Sequence, residues 1–458
     1  MNRGRPDSTP LSHGQRRLWF LDRLHPDDIA YNTPAAYRIR GPLDVSALER
    51  ALGWVVDRHD VLRTRYETEG GEPRGRTVDR GGFRLAVTDA GSEARATALI
   101  REDIGQPFDL QRGPLFRATL HRLAADDHIL AVVVHHSVFD GTSFGIWAAE
   151  VSAAYGAYRD GRMPTAAPVT QYAEYARQQR PEVTDALADR HLGYWRSALA
   201  GAPPVLELPV DRERPPKPSH RAGFVDFAFS DTAAVGLREL AADSGASLFM
   251  VTLAAYEVLV GRYTASRDIV VGIPVDARPT ADLEQTIGFF VNSLPVRVDI
   301  GGDPTFAGLV ARTRWAVLDS LSHRDVPFER IVEELAPPRD PSRNPVFQNW
   351  FDLTVQPPGG DAGVPVLVGA DVRRFDAESV RTRFDTEMHL FAHPDGRLSG
   401  RYQYATDLFE PAGAARFVRH YRNVVEDFAV RPDARLSQVE LFSAEELHTL
   451  VEVWGTAS

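Results

Sequence analysis

Apolar residues along this chain recur at two alternating spacings. In DVSALERALGWVVDRHDVLRTRY (44–66) they return every three or four positions, which predicts an amphipathic helix with Asp44 or Ser46 as its cap. FRATLHRLAADDHILAVVVHH (116–136) reads as two strands joined by a polar turn at Ala124 to Asp127. Helical spacing comes back in TSFGIWAAEVSAAYGAYRDG (142–161), with Gly161 as the stop. LPVDRERPPKPSHRAG (208–223) then has four prolines, a local positive charge and no periodicity, and predicts an extended crossover. Beyond it come a strand at GFVDFAFS, a long helix at SLFMVTLAAYEVLVGRYT, and strands at DIVVGIPVD and LPVRVDI. The pattern predicts an α/β protein of two lobes of similar weight: 1–180, a crossover over 181–222, and 223–458.

Length agrees, since 458 residues exceed one comfortable core. Apolar runs stay well below the roughly 18 residues needed to span a bilayer. The start, MNRGRPDSTP, has no hydrophobic segment behind its arginines, so no secretory signal and no membrane association are expected, and a cytoplasmic location follows. The chain has no cysteine, which removes disulfides, thiolate metal sites and a cysteine nucleophile. A net charge of −11 argues against nucleic acid as a partner.

The chemistry concentrates at one strand end. In AVVVHHSVFDGTS (131–143) four apolar residues run into His135 and His136, and Asp140-Gly141 follows. Glycine tolerates positive φ, so Asp140-Gly141 reads as a tight turn that presents the preceding histidine to a cavity. A histidine there can accept or donate a proton during acyl transfer. The same residues read equally well as a strand-end histidine with a satisfied hydrogen bond and an aspartate capping the next helix. Adjacent strand residues point to opposite faces, so His135 and His136 do not readily share an ion, and no metal is expected. GTSFG (141–145) matches the G-x-S-x-G nucleophile elbow and makes Ser143 a rival nucleophile. HHSVFD separates that serine from the apolar strand, and no HGGG-type oxyanion segment accompanies it.

HHSVFDG fits the HHxxxDG signature of the condensation domains of nonribosomal peptide synthetases. Further segments resemble that family's motifs in order: LSHGQRRLWFL (11–21), RHDVLRT (58–64), YAEYA (172–176), YWRSAL (194–199), IGFFVNSLPVR (287–297), HRDVPFE (323–329) and RDPSRNP (339–345). The resemblance covers essentially the whole chain. Two departures stand out: Gly14 where alanine is usual, and Thr142 where many members carry tryptophan. Cyclization domains replace the double histidine with aspartates, epimerization domains differ in the later motifs, and non-catalytic recruiting relatives have lost the second histidine or the aspartate. This chain keeps all three residues.

The resemblance implies two chloramphenicol-acetyltransferase-like lobes in a V-shaped pseudodimer, with the active-site tunnel between them. It implies a condensation enzyme that moves an acyl or aminoacyl group from the phosphopantetheine thioester of a peptidyl carrier protein directly to an amine or alcohol. The acceptor is soluble or carrier-bound, and the product is an amide or ester in bacterial antibiotic biosynthesis. His136 is the expected base or positioning group, and Gly141 the backbone N–H donor to the oxyanion. His135 and Asp140 are expected to be structural, with Asp140 paired to Arg63 first and Arg58 second. Trp195 and Asn292 match positions near the lobe interface. No bound cofactor is expected, because the reactive sulfur belongs to the carrier. Met1 is a plausible native start, and VEVWGTAS ends the chain where a multidomain synthetase would continue, so a free-standing enzyme is expected, with an excised domain as the alternative; a monomer is expected. The alternatives are a serine hydrolase or thioesterase using Ser143, and a non-catalytic carrier-recruiting module.

Overall fold

A computed structural model describes residues 8–179, 185–338, 340–357, 363–376 and 381–443, with Glu446 and His448. In chain order the elements begin with β1 (Ser8–Pro10), α1 (His13–Leu24), β2 (Asn32–Arg40), α2 (Val45–Arg58), β3 (Thr64–Glu69), β4 (Glu72–Thr77), β5 (Ala86–Asp89) and α3 (Glu93–Gly105). They continue with β6 (Phe116–Ala124), β7 (Asp127–His135), α4 (Gly141–Arg159), α5 (Tyr172–Gln178), α6 (Asp185–Ala198), β8 (Ala222–Ala228), α7 (Asp231–Asp243) and α8 (Leu248–Thr264). The remainder are β9 (Asp268–Asp276), β10 (Val291–Asp299), α9 (Phe306–Ser322), α10 (Phe328–Leu335), β11 (Asn349–Val355), β12 (Asp371–Arg374), β13 (Thr386–Ala392), β14 (Leu398–Ala405) and α11 (Pro411–Val430).

These elements form two compact units. The first draws on 1–188, 276–291 and 360–379, the second on 189–275, 292–359 and 380–458. The units are therefore not contiguous, and the expected second lobe over 223–458 needs correction. Segment 276–291 sends Leu283, Ile287 and Phe290 into the first unit's core, and β12 pairs antiparallel with β2 of its sheet. The crossover over 181–222 needs correction too. It contains α6, whose Leu192 and Trp195 join the second unit's core, while 208–220 is free of regular structure as expected. Residues 180–184 of that stretch lie outside the described residues, as does Arg339 of RDPSRNP.

In the first unit the mixed sheet runs β12-β2-β7-β6-β5, with a smaller sheet β1-β4-β3. β7 lies between two neighbours and is buried from His128 to His135, which explains its unbroken apolar run. Leu48 of α2, Ile100 of α3 and Trp147 of α4 pack into the same core. The predicted helix from 44 ends earlier than its pattern suggested. Asp44, not Ser46, caps α2, and after Arg58 the chain turns through a 3-10 segment, Asp60–Arg63, into β3. Gly161 takes φ +69 after α4, closing it with the Arg162 N–H donating to the Ala157 carbonyl (2.8 Å).

Among the described residues the second unit's strands form one sheet, β10-β9-β11-β13-β14-β8. α8 is largely apolar because it is buried along most of its length, and its buried Glu257 accepts from Thr313 at 2.6 Å. No single helix among the described residues is long and apolar enough to cross a membrane. α7 and α8 pass that test only as a pair bent by 109°, and both contribute to the core.

A charge cluster on β11 and β13 gives this unit a pH dependence. Burial opposes protonation of His389, but Asp352 at 2.9 Å and Glu387 at 3.3 Å outweigh it and raise the imidazole to about 10. A folded-state value above the unfolded one, ordinarily about 6.5, stabilises the fold fully below pH 6.5. That contribution fades as pH climbs towards 10. The urea midpoint of the wild type is therefore expected to fall between pH 7 and 10 more steeply than that of His389→Gln. Equal slopes would remove the cluster as the cause.

Candidate active site

The HHSVFDG loop is built by the end of β7 and the start of α4. β7 stays paired with β2 up to His135 opposite Asn32, and the His136 N–H still donates to the Tyr31 carbonyl (2.8 Å). The chain then makes a 3-10 turn, His136–Val138, and enters α4 with Asp140 as N-cap. The expected left-handed turn at Gly141 is not present. Gly141 is the first residue of α4, and Asp140 folds the chain by capping rather than by a glycine-specific backbone. A Cβ on Gly141 would meet no atom within 4 Å, so its backbone faces open space.

The two histidines have separate surroundings. His135 is 5% exposed, and its Nδ1 lies 2.7 Å from the Ser137 hydroxyl. Burial, with a smaller push from His136, drives its imidazole down to about 3, so it stays neutral. His136 is half-buried. Its Nδ1 sits 2.6 Å from the Phe139 carbonyl, a pure acceptor, so Nδ1 carries the proton. In the neutral ring Nε2 then holds the lone pair, the state a general base needs. The Phe289 ring meets this imidazole edge-on at 4.8 Å between centroids.

Asp140 is 1% exposed and almost fully engaged. It accepts from the Ser143 N–H (2.8 Å) and hydroxyl (2.7 Å), from Arg278 Nη2 (3.1 Å) and from the Phe290 N–H (3.1 Å). Its cation is Arg278, not Arg63 or Arg58, which corrects both expected partners. Arg63 donates to the carbonyls of Val56, Asp57 and Val78 and pairs with Asp60 at 2.7 Å, satisfying the end of α2. Arg58 pairs with Glu150 of α4 at 2.8 Å, and the other oxygen of Glu150 lies 2.8 Å from His59 Nε2. RHDVLRT thus fastens α2 to the middle of α4. Arg278 also bonds Asp276 (2.7 Å) and the Thr286 carbonyl (3.1 Å), and lies over the Phe290 ring. Thr142 joins the same network through Asp276 (3.0 Å).

Ser143 does not present itself as a nucleophile. It is fully buried, its hydroxyl engaged with Asp140 and with the Gly288 backbone, whose N–H donates to it at 3.1 Å. Other motifs close on the same loop. Gln15 of α1 and Tyr66 of β3 both donate to the Ser137 carbonyl, at 3.1 and 3.2 Å. Tyr172 donates to the Phe289 carbonyl (2.7 Å) and lies 2.8 Å from the Ser12 hydroxyl. A Cβ at Gly288 would fall 2.1 Å from the Tyr172 ring. Gly288→Ala is therefore expected to cost about 1–3 kcal/mol by overpacking, read as a lower urea midpoint with unchanged slope. A smaller loss from Gly288→Ala in a Tyr172→Leu background than in the wild type would confirm the contact as the cause.

Trp195 and Asn292 belong to the second unit and hold one loop there. Trp195 Nε1 donates to the His323 carbonyl (3.2 Å), while Asn292 bonds the carbonyls of Arg324 and Val326 and accepts from the Phe328 N–H. Sequence reasoning missed Arg278 and Phe289. Arg278 sits in VDARP with no local charge pattern, and Phe289 stands out only as part of a longer motif.

With this geometry in place, comparison with known proteins defines the class. A family model described as Condensation domain matches residues 6–451. A linear gramicidin synthase of Brevibacillus parabrevis is 36% identical over 99% of this chain, which spans 6% of that synthase. Among solved structures, the X-domain in a complex with OxyB from teicoplanin biosynthesis aligns at a TM-score of 0.88 with 33% identity, over 96% of this chain and 97% of that one. SgcC5 of Streptomyces globisporus, solved with (R)-(-)-1-(2-naphthyl)-1,2-ethanediol and sucrose, aligns at 0.78 with 28% identity, over 93% of this chain and 100% of that one. The chain belongs to the condensation domain family of nonribosomal peptide synthetases, and its mixed α/β fold is the chloramphenicol-acetyltransferase-like fold of that family.

Proposed function

We propose that this chain is a catalytic condensation enzyme. It transfers an acyl or aminoacyl group from the phosphopantetheine thioester of a carrier protein to an amine or alcohol acceptor. The observation that carries the reading is the fixed tautomer of His136, with Nδ1–H committed to Phe139 and Nε2 left as the basic nitrogen. The acceptor nitrogen or oxygen bonds to the thioester carbonyl carbon and gives its proton to Nε2. The tetrahedral intermediate then collapses, the C–S bond breaks, and the imidazolium returns the proton to the leaving thiolate. Gly141, at the N-terminus of α4 with open space beside it, supplies a backbone N–H towards the developing oxyanion. The enzyme needs no nucleophile or cofactor of its own, in keeping with a chain that has no cysteine. The likeness to SgcC5, solved with a diol, supports an alcohol among the acceptors.

A second reading has one observation in its favour, the likeness to an X-domain solved bound to OxyB. A recruiting module would bind a partner protein and leave a loaded carrier untouched.

Intact-protein mass spectrometry of an acyl-loaded carrier protein, with and without a panel of amines and alcohols, decides among these. Condensation predicts carrier unloading only with acceptor, a product mass equal to acyl group plus acceptor less the hydrogen passed to the carrier thiol, and turnover that survives Ser143→Ala in proportion to folded protein. Unloading without acceptor, or an acyl adduct on Ser143, would establish the hydrolase. A carrier left loaded under every condition would favour recruitment.

A further inference from the structure

The glycine in the first turn of α1 is costly in a helix and has no backbone reason to be there. Gly14 is two residues past the N-cap Ser12 and adopts no left-handed conformation. Glycine in a helix is about 0.5–1 kcal/mol worse than alanine. Its justification is steric: a Cβ at Gly14 would lie 2.7 and 2.9 Å from Cε1 and Cδ1 of Phe289. The Phe289 ring therefore lies flush against the backbone of α1. The ring also meets His136 edge-on at 4.8 Å and packs against the first unit's core.

The backbone beneath this ring is clamped on both sides. The Phe289 carbonyl accepts from Tyr172, which also contacts Ser12, the cap of the helix carrying Gly14. The preceding N–H, of Gly288, donates to Ser143, and the following one, of Phe290, donates to Asp140. Segment 288–290 is thus tied to the HHSVFDG loop by hydrogen bonds on either side of Phe289. Phe289 and His136 are both half-buried, in contact with each other, while Ser137 to Asp140 are buried. Any acceptor within hydrogen-bonding reach of the imidazole, about 2.6–3.2 Å, must carry its substituents past such a neighbouring ring.

Resting on the condensation reading, we propose that Phe289 is the positioning and selectivity residue of this site. Its ring holds the His136 imidazole in place and forms a fixed wall that limits bulk at the acceptor carbon bearing the nucleophile. Gly14 is the notch that lets the ring sit there.

The test uses the full chain as wild type, Phe289→Ala, Phe289→Leu, Gly14→Ala and the double variant Gly14→Ala/Phe289→Ala. A loaded carrier protein supplies the donor. Glycyl, alanyl, valyl and tert-leucyl pantetheine thioesters, with the matching 2-hydroxyacyl thioesters, supply acceptors of graded bulk. In Phe289→Ala, kcat/KM for the bulkiest acceptor relative to the smallest is expected to rise about 10- to 100-fold. Its kcat with the smallest acceptor should fall several-fold, with Phe289→Leu between it and wild type. Gly14→Ala should lower kcat in the wild-type background and have no effect once Phe289 is alanine, the signature of direct coupling. The Nδ1–H proton resonance of His136, which needs no substrate, should broaden in Phe289→Ala and in Gly14→Ala but no further in the double variant.

An active wild type whose acceptor ranking is unchanged in Phe289→Ala, with all rates falling in step with melting temperature, overturns the proposal and leaves the condensation reading standing. A wild type that transfers to none of these acceptors, nor to the amine and alcohol panel, fails the condensation reading instead. In that case an unaltered His136 resonance in Phe289→Ala also removes the positioning role.

Discussion

His136→Ala is expected to lower acceptor-dependent transfer by about 10²- to 10⁴-fold, the range a positioned general base contributes. Stability should barely change. The side chain is half-buried, and its loss removes a hydrogen bond to the Phe139 carbonyl, worth about 0.5–1.5 kcal/mol, and the edge-on contact with Phe289. Carrier unloading followed by intact mass, beside a thermal melt, separates the two effects. The loss should be greater with an alcohol than with an amine, because a hydroxyl is the poorer nucleophile at neutral pH and depends more on a base. An equal loss with both acceptors would mean that His136 acts chiefly by holding the acceptor in place. Full activity in His136→Ala would end the base assignment altogether.

His135 supplies the internal control, because it stands one residue away with the opposite character. Its ring is buried, neutral and bonded to Ser137, the residue whose carbonyl also receives Gln15 and Tyr66. His136 keeps part of its surface exposed at the point where β7 ends. His135 is the last residue of β7 and His136 the first of the 3-10 turn, after which Val138 and Phe139 return to the core.

What could be read from residues alone follows the range of the interactions. β6 and β7, the cap at Asp44 and the Gly161 stop depend on neighbours a few positions away, and their patterns were visible in the chain. HHSVFDG declared its histidines because a strand core does not need them. The partner of Asp140 was not visible. Arg278 lies 138 positions along the chain, beyond a segment assigned to the other unit, and nothing in VDARP marks it as a buried cation. RHDVLRT offered two nearer arginines, but one neutralises Glu150 and the other finishes a helix end. The two-lobe boundary failed for the same reason. Segment 276–291 belongs to the first unit through its side chains and hydrogen bonds, and periodicity carries no information about those.

Arg278 therefore carries the largest expected effect on stability. Arg278→Met strips the cation from a carboxylate that is 1% exposed, and an unpaired buried charge costs about 3–5 kcal/mol. Asp140 would retain the N–H groups of Ser143 and Phe290, so the first unit should still fold at a lower urea midpoint. Asp140→Asn/Arg278→Met removes both charges and should recover part of that loss. A double-mutant cycle would then return a coupling that distant, independent sites do not show. Arg63→Met should show no such coupling with Asp140→Asn, because Arg63 is bonded to Asp60 and the end of α2. Activity should fall with Arg278→Met beyond what stability explains. Asp140 joins the cap of α4, where Gly141 presents its N–H, to the Phe289–Phe290 backbone beside His136. Loosening that junction by a fraction of an ångström moves the proposed base and the proposed oxyanion donor apart. If Arg278→Met instead keeps both its midpoint and its turnover, the ion pair is dispensable, and the Ser143 and Phe290 donors hold Asp140 without it.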